Sequence, residues 1–245
     1  MWEGTHSGFD YAGRRVATHA GVTRAHSQLG IGSNFPSTAN NKWTFPLRDD
    51  LHNTNVFTYV AMFSAAWGSS KGICGMFVSP SRYTALFLAV TNAIDWECYV
   101  SPNSARTART AVDASYFDGT PTCVVATCDV VRNDVYAAKP LTLAGYSAGA
   151  NGAPGTRNSV STEDFAVGNY QAASGGGQWN GDILFLAYLP GIAWSAEQAK
   201  AWMRDPYGPI RQRRRVWARV PAAGGDVRRV PSRIVSQAVN RSYTY

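Results

Sequence analysis

Apolar runs of strand length, broken by polar turns, recur along most of this 245-residue chain. Runs rich in β-branched and aromatic residues predict strands over residues 55–66, 72–79, 83–90, 94–100, 110–114 and 122–129. Further runs predict strands over residues 141–146, 164–170, 181–189 and 214–220. Pro80-Ser81 and Thr91-Asn92 supply turn chemistry between neighbouring runs, at spacings that suit antiparallel pairing. Residues 149–158 and 174–177, rich in Gly and small polar residues, read as exposed loops. One segment breaks the pattern. Ser195 with Gln198 three residues on has capping-box spacing, helix formers follow, and Asp205-Pro206 closes a helix over residues 195–204. Many short strands with one late helix argue for an antiparallel β-sandwich rather than a βαβ fold.

The two ends read differently. Residues 1–40 show no clear period and are expected to form an irregular arm with a short strand near residues 15–18. Residues 41–220 are expected to form the sandwich, and residues 221–245 a basic arm with too few apolar positions for a core of its own.

Charge sharpens that division. Charged residues make up 16% of the chain, against about a quarter in an ordinary soluble protein. The net charge of +7 is concentrated at one end. Residues 211–245 hold nine arginines (Arg211, Arg213, Arg214, Arg215, Arg219, Arg228, Arg229, Arg233 and Arg241) against one acid, whereas the preceding 210 residues are close to neutral. Such a stretch suits an acidic protein surface; nucleic acid is the less favoured partner, since no recognition helix or aromatic RNA signature accompanies it. No basic-then-apolar leader opens the chain and no run is long enough for a membrane span, so synthesis in a cytoplasm is expected.

The stretch from Trp179 to Trp217 carries a family resemblance. Gly181, Ile183, Phe185 and Ala187 fit a late strand, and Trp194, Ser195, Glu197 and Gln198 fit the helix start that closes LamG-like domains of the concanavalin A-like jelly-roll fold. The continuation from Asp205-Pro206-Tyr207 through Arg215-Val216-Trp217 to residues 220–225 resembles a variant seen in phage and prophage virion proteins. The resemblance, over residues ~40–220, implies an all-β jelly roll with one short C-terminal helix and extended terminal arms.

Four motifs invite a chemical reading. Gly145-Tyr146-Ser147-Ala148-Gly149 matches the G-x-S-x-G nucleophile elbow, but loop chemistry follows where a helix is required, and His6, His19, His26 and His52 all precede the serine. Asp95 and Glu97 share a strand face, as a glycosidase pair would, though Ala93 stands where related hydrolases of this fold place a third acid. Eight tryptophans and twelve tyrosines include candidate sugar-stacking platforms, although core packing accounts for most. Asp49-Asp50 and Asp129 are candidate calcium ligands without the regular spacing of a calcium loop. Cys74, Cys98, Cys123 and Cys128 lack zinc spacing; Cys123 and Cys128 fall on opposite strand faces, Cys74 and Cys98 could meet across strands, and buried reduced thiols are expected.

The expectation is therefore a non-enzymatic virion structural protein, a capsid decoration or a tail or fibre component, without cofactor, metal or catalytic residues. Its arms would dock on neighbouring capsid or tail subunits or on further copies of the chain. A carbohydrate-binding module recognising a host glycan is the alternative, and a glycoside hydrolase the weaker one.

Overall fold

The computed structural model describes residues 9–10, 15–16, 18–27, 30–36, 41–46, 54–65, 71–79, 82–88, 92–100, 104–152, 164–169, 177–208, 217–221 and 227–231. The chain divides into two units, Met1–Pro206 and Tyr207–Tyr245.

In the first unit, β1 (Phe9–Asp10) and β2 (Arg15–Val16) form a short ribbon. There follow β3 (Thr18–Ala20), β4 (Thr23–Ser27), β5 (Gly30–Phe35), β6 (Lys42–Phe45), β7 (Phe57–Ala65), β8 (Lys71–Ser79) and β9 (Arg82–Leu88). After these come β10 (Ile94–Val100), β11 (Ser104–Arg109), β12 (Thr122–Cys128), β13 (Arg132–Ala138), β14 (Ser147–Gly152), β15 (Phe165–Val167) and β16 (Gly181–Pro190). Among the described residues one α-helix, α1 (Ala196–Arg204), follows β16. The strands form two seven-stranded sheets, one in the order β11-β10-β9-β8-β15-β6-β3 and the other β14-β13-β12-β7-β16-β5-β4. Every pairing is antiparallel. The expected all-β antiparallel sandwich is the fold observed.

The period-two alternation of strand side chains decides what lies between the sheets. Phe57, Tyr59, Ala61 and Phe63 of β7 meet Ile94, Trp96 and Cys98 of β10 and Val124, Ala126 and Cys128 of β12 in one buried cluster. Trp96 stands edge-on to Phe57 and Tyr59, with ring centroids 5.6 and 5.4 Å away. Its indole N–H donates to the Thr127 carbonyl of β12 across the sandwich, at 2.8 Å.

β7 and β12 are buried along nearly their whole lengths, so their second face is covered too. The cover includes α1, which packs on β12 and β13 through buried Ala199, Trp202 and Met203, with the Trp202 ring 5.9 Å from Phe185. Continuous apolar runs are what a doubly covered strand requires. The helix begins as its sequence predicts: Gln198 N–H donates to Ser195 Oγ at 3.3 Å, and Ser195 N–H donates to Gln198 Oε1 at 2.8 Å.

Several expectations need correction. Residues 1–40, read as irregular, contribute strands to both sheets, with Phe35 wholly buried. The strand expected at 110–114 lies earlier, at β11, and Asp113 instead caps a 3-10 turn, Ala114–Phe117. β11 and β13 escaped notice because Arg106 and Asn133 occupy inward positions and break their apolar alternation. Residues 141–146, expected as a strand, form a turn, while β14 runs through part of the expected loop at 149–158.

In the second unit, β17 (Trp217–Pro221) and β18 (Val227–Pro231) pair as an antiparallel hairpin.

Candidate functional site

A shallow depression of about 670 Å³ opens where β12 begins and β13 ends, lined by Asp113, Asp118, Thr120, Lys139, Leu141 and Gly145 among others. Asp113 Oδ1 accepts the Ser115 N–H at 2.8 Å and so fixes the 3-10 turn on one side. Lys139 follows β13 and is largely enclosed. Its ammonium donates to Thr120 Oγ1 at 2.8 Å, to Asp118 Oδ1 at 3.0 Å and to Thr122 Oγ1 at 3.1 Å. Asp118 Oδ1 also accepts the Thr120 amide at 2.8 Å and its hydroxyl at 2.6 Å. Burial alone would raise the Asp118 carboxyl, but the Thr120 bonds and the Lys139 ammonium outweigh it and hold the group below its ordinary value.

The opposite wall is the turn between β13 and β14. Leu141 and Leu143 adopt φ of 67° and 58°, a left-handed conformation that costs a bulky residue roughly 1–2 kcal/mol. Three contacts over-determine it. Lys139 N–H donates to Ala144 O at 2.8 Å, Leu141 N–H to Met203 O of α1 at 2.9 Å, and the Tyr116 hydroxyl to Gly145 O at 2.8 Å. Burial pushes the Tyr116 phenol up to about 12, so it remains a donor at neutral pH. Gly145 has φ 64°, and a Cβ there would lie 2.6 Å from Asp113 Oδ2, so glycine is required twice over. The strained turn leaves Leu141 55% exposed beside the carboxylates and the lysine. Strain held by surrounding contacts is a mark of functional surfaces. Of the residues lining this depression, the sequence marks Gly145, as part of the nucleophile-elbow motif, while Asp113, Leu141 and Ala144 fall only within expected strands. The signals that could have found it are Asp118-Gly119-Thr120-Pro121 and Pro140 with Gly145, both turn chemistry.

The sequence-predicted sites have other fates. Ser147 begins β14, and its Oγ accepts the Ala111 N–H at 2.8 Å, so the elbow motif sits at a sheet edge and not between a strand and a helix. Asp95 and Glu97 share the outer face of β10, as expected. Asp95 is buried and bound at both oxygens by the Arg109 guanidinium, at 2.6 Å each. Asp129 Oδ1 accepts the amides of Val131 and Arg132, both at 2.7 Å, as the cap of the β12–β13 turn; Asp49 and Asp50 lie outside the described residues. Among the described residues, no three metal-capable side chains gather. Trp96, Trp179 and Trp202 are packed inside, and Trp43 and Trp194 are partly buried, so these five form packing rather than an open stacking platform; Trp2 and Trp67 lie outside the described residues. All four cysteines are buried thiols, and Cys98 approaches Cys128 rather than Cys74, with sulfurs 3.8 Å apart. Arg219 lies on β17, with Arg228 and Arg229 on β18; Arg211, Arg213, Arg214, Arg215, Arg233 and Arg241 lie outside the described residues. No helix among the described residues is long and apolar enough to cross a membrane.

No protein-family model matches the chain, and no curated protein matches its sequence. Solved structures do share its fold. The binding domain of Paraclostridial mosquitocidal protein 1 superposes with a TM-score of 0.60 at 9% identity, covering 82% of this chain and 52% of that one. Domain 4 of AbnA, an extracellular arabinanase from Geobacillus stearothermophilus solved with arabinotriose, gives 0.52 at 14% identity, covering 74% and 81%. The enzymatically active domain of tailspike protein 2 from bacteriophage CBA120 gives 0.51 at 10% identity, covering 75% and 29%. At these identities the likeness is one of fold.

Proposed function

We propose that this chain is a non-enzymatic recognition module that binds a surface glycan in the Lys139 depression, within a larger assembly of the phage tail or fibre type. The observation that carries this reading is the Asp118–Thr120–Lys139 network set opposite a strained, exposed Leu141. Sugar hydroxyls donate to Asp118 Oδ2, which the Lys139 and Thr120 bonds to Oδ1 hold in place, while the C–H edges of a ring rest on Leu141 and Pro140. A shallow opening suits a saccharide displayed on a surface, and the volume lies within the ~300–1,000 Å³ of small-molecule sites. The arabinotriose held by the arabinanase domain is a precedent for a sandwich of this shape taking a neutral oligosaccharide.

Calorimetric titration of the full chain with a panel of neutral oligosaccharides tests the reading. Lys139→Met and Asp118→Asn should each weaken binding by about tenfold or more, the scale of a lost charged hydrogen bond. Unchanged affinity in both variants, with an unaltered melting profile, would sink the proposal. The pH dependence has a defined sign. Asp118 is depressed in the folded state, so its contribution is present above the ordinary carboxylate value and is lost as pH falls through the lowered one. Binding should therefore stay level from neutral pH through the usual carboxylate range and weaken only below it.

A second reading, capsid decoration or cementing, rests on the charge partition. Residues 211–245 carry nine arginines against one acid, an excess of positive charge that an acidic neighbouring surface would offset. Replacing Arg228, Arg229, Arg233 and Arg241 together by Gln should abolish co-sedimentation with assembled particles while the circular dichroism of the sandwich persists. Normal incorporation of that variant would remove this role.

A further inference from the structure

We infer that Cys98 and Cys128 form a redox-sensitive clasp between the two sheets, closing as a disulfide when the chain meets an oxidising thiol–disulfide environment. Cys98 belongs to β10 of one sheet and Cys128 to β12 of the other. Both face the common core, with sulfurs 3.8 Å apart, so closing the bond requires the sulfurs to approach by roughly a further 1.8 Å, with the two sheets drawing together at this end.

The surroundings differ from those of the other two thiols. Arg106, fully buried, is the register partner of Cys98 on β11 and faces the same interior. Its guanidinium donates to the Asp129 carbonyl, next in sequence to Cys128, at 2.7 Å. Asn133 is the register partner of Cys128, and its Nδ2 donates to Cys98 Sγ at 3.3 Å and to Arg106 O at 2.8 Å. The Asn133 amide thus holds Cys98 Sγ on the side facing Cys128, with Asn133 Oδ1 3.4 Å from the same sulfur, so the two thiols are kept as neighbours. Cys74 and Cys123 lack such neighbours in their hydrogen bonding, and burial alone pushes their thiols up.

The chemistry balances with a low-molecular-weight disulfide as oxidant. The Cys98 thiolate attacks one sulfur of that disulfide, forming a mixed disulfide and releasing one small thiol. Cys128, after losing its proton, attacks Cys98 Sγ and expels the second small thiol. Two protein thiols lose two protons and two electrons, and one oxidant disulfide becomes two thiols. Because both sulfurs are buried, exchange takes place as the chain folds or as the end of the sandwich opens. The clasp then ties the sheets together across 30 residues of chain.

Refolding the full chain with a mixture of oxidised and reduced glutathione tests the clasp. Intact mass should show the loss of two hydrogens, and peptide mapping without reductant should link Cys98 to Cys128 while Cys74 and Cys123 still alkylate after denaturation. The unfolding equilibrium should shift toward the folded state by roughly 10²-fold, reversed by reductant. Cys98→Ser and Cys128→Ser should each abolish the redox response of the denaturation midpoint. Four alkylatable thiols after oxidative refolding, or a linkage involving Cys74 or Cys123, would overturn the inference without recourse to any variant.

Discussion

Trp96→Ala is expected to destabilise the sandwich by about 3–5 kcal/mol, the range for emptying a large aromatic site in a packed core. The indole is wholly buried, stands edge-on to Phe57 and Tyr59, and joins one sheet to the other through its bond to the Thr127 carbonyl. Removing it creates a cavity between the sheets and leaves that carbonyl without its indole donor. Trp96→Phe separates the two losses, because it retains a ring and deletes only the indole hydrogen bond, at about 0.5–1.5 kcal/mol, since the Thr127 carbonyl keeps its ladder partner on β13. Urea denaturation followed by far-ultraviolet circular dichroism measures both. Equal midpoints for Trp96→Ala and the parent would mean that the inter-sheet packing described here is wrong.

Gly149→Val should cost about 1–3 kcal/mol or more, by overpacking where two sheet edges meet. Edge strand β14 crosses edge strand β11 at this point, and a Cβ on Gly149 would sit 1.8 Å from the Arg109 carbonyl oxygen. The residues two positions to either side make the same seam. Ser147 Oγ accepts the Ala111 N–H, and Asn151 Nδ2 donates to Thr107 O at 3.0 Å. Forcing the strands apart at Gly149 should break both bonds, which faster hydrogen exchange at the Ala111 amide would report. Ser147→Ala removes one bond alone, at about 0.5–1.5 kcal/mol. A Gly149→Val midpoint within error of the parent would disprove the seam. The resemblance of residues 145–149 to a hydrolase elbow thus has a mechanical explanation: a left-handed glycine, a seam-bonding serine and a glycine at a close approach.

Residues 181–190 and 195–204 were readable because their determinants are local. A long apolar run, a capping pair three residues apart and a proline stop act within a few residues. The same holds for β7, β10 and β12, whose side chains state their burial directly. β13 and β14 were hidden for an opposite reason. Asn133 is buried with Cys98 and Arg106, and β14 is a strand of small residues whose purpose is contact with β11. A polar residue satisfied by distant partners looks, in one dimension, like a solvent-facing one.

The amino-acid sequence by itself determined the fold class, the closing helix and the separation of a near-neutral body from a basic C-terminal stretch, since propensity, alternation, capping and charge count are properties of neighbouring residues. Tertiary structure alone decided that Lys139 meets Asp118 beside Leu141 and that Ser147 and Gly149 close a seam. It also decided that Cys98 chooses Cys128 over Cys74. Each of these depends on which strands become neighbours in the sheets, and that choice is made by burying the whole apolar surface together, not by any segment in isolation.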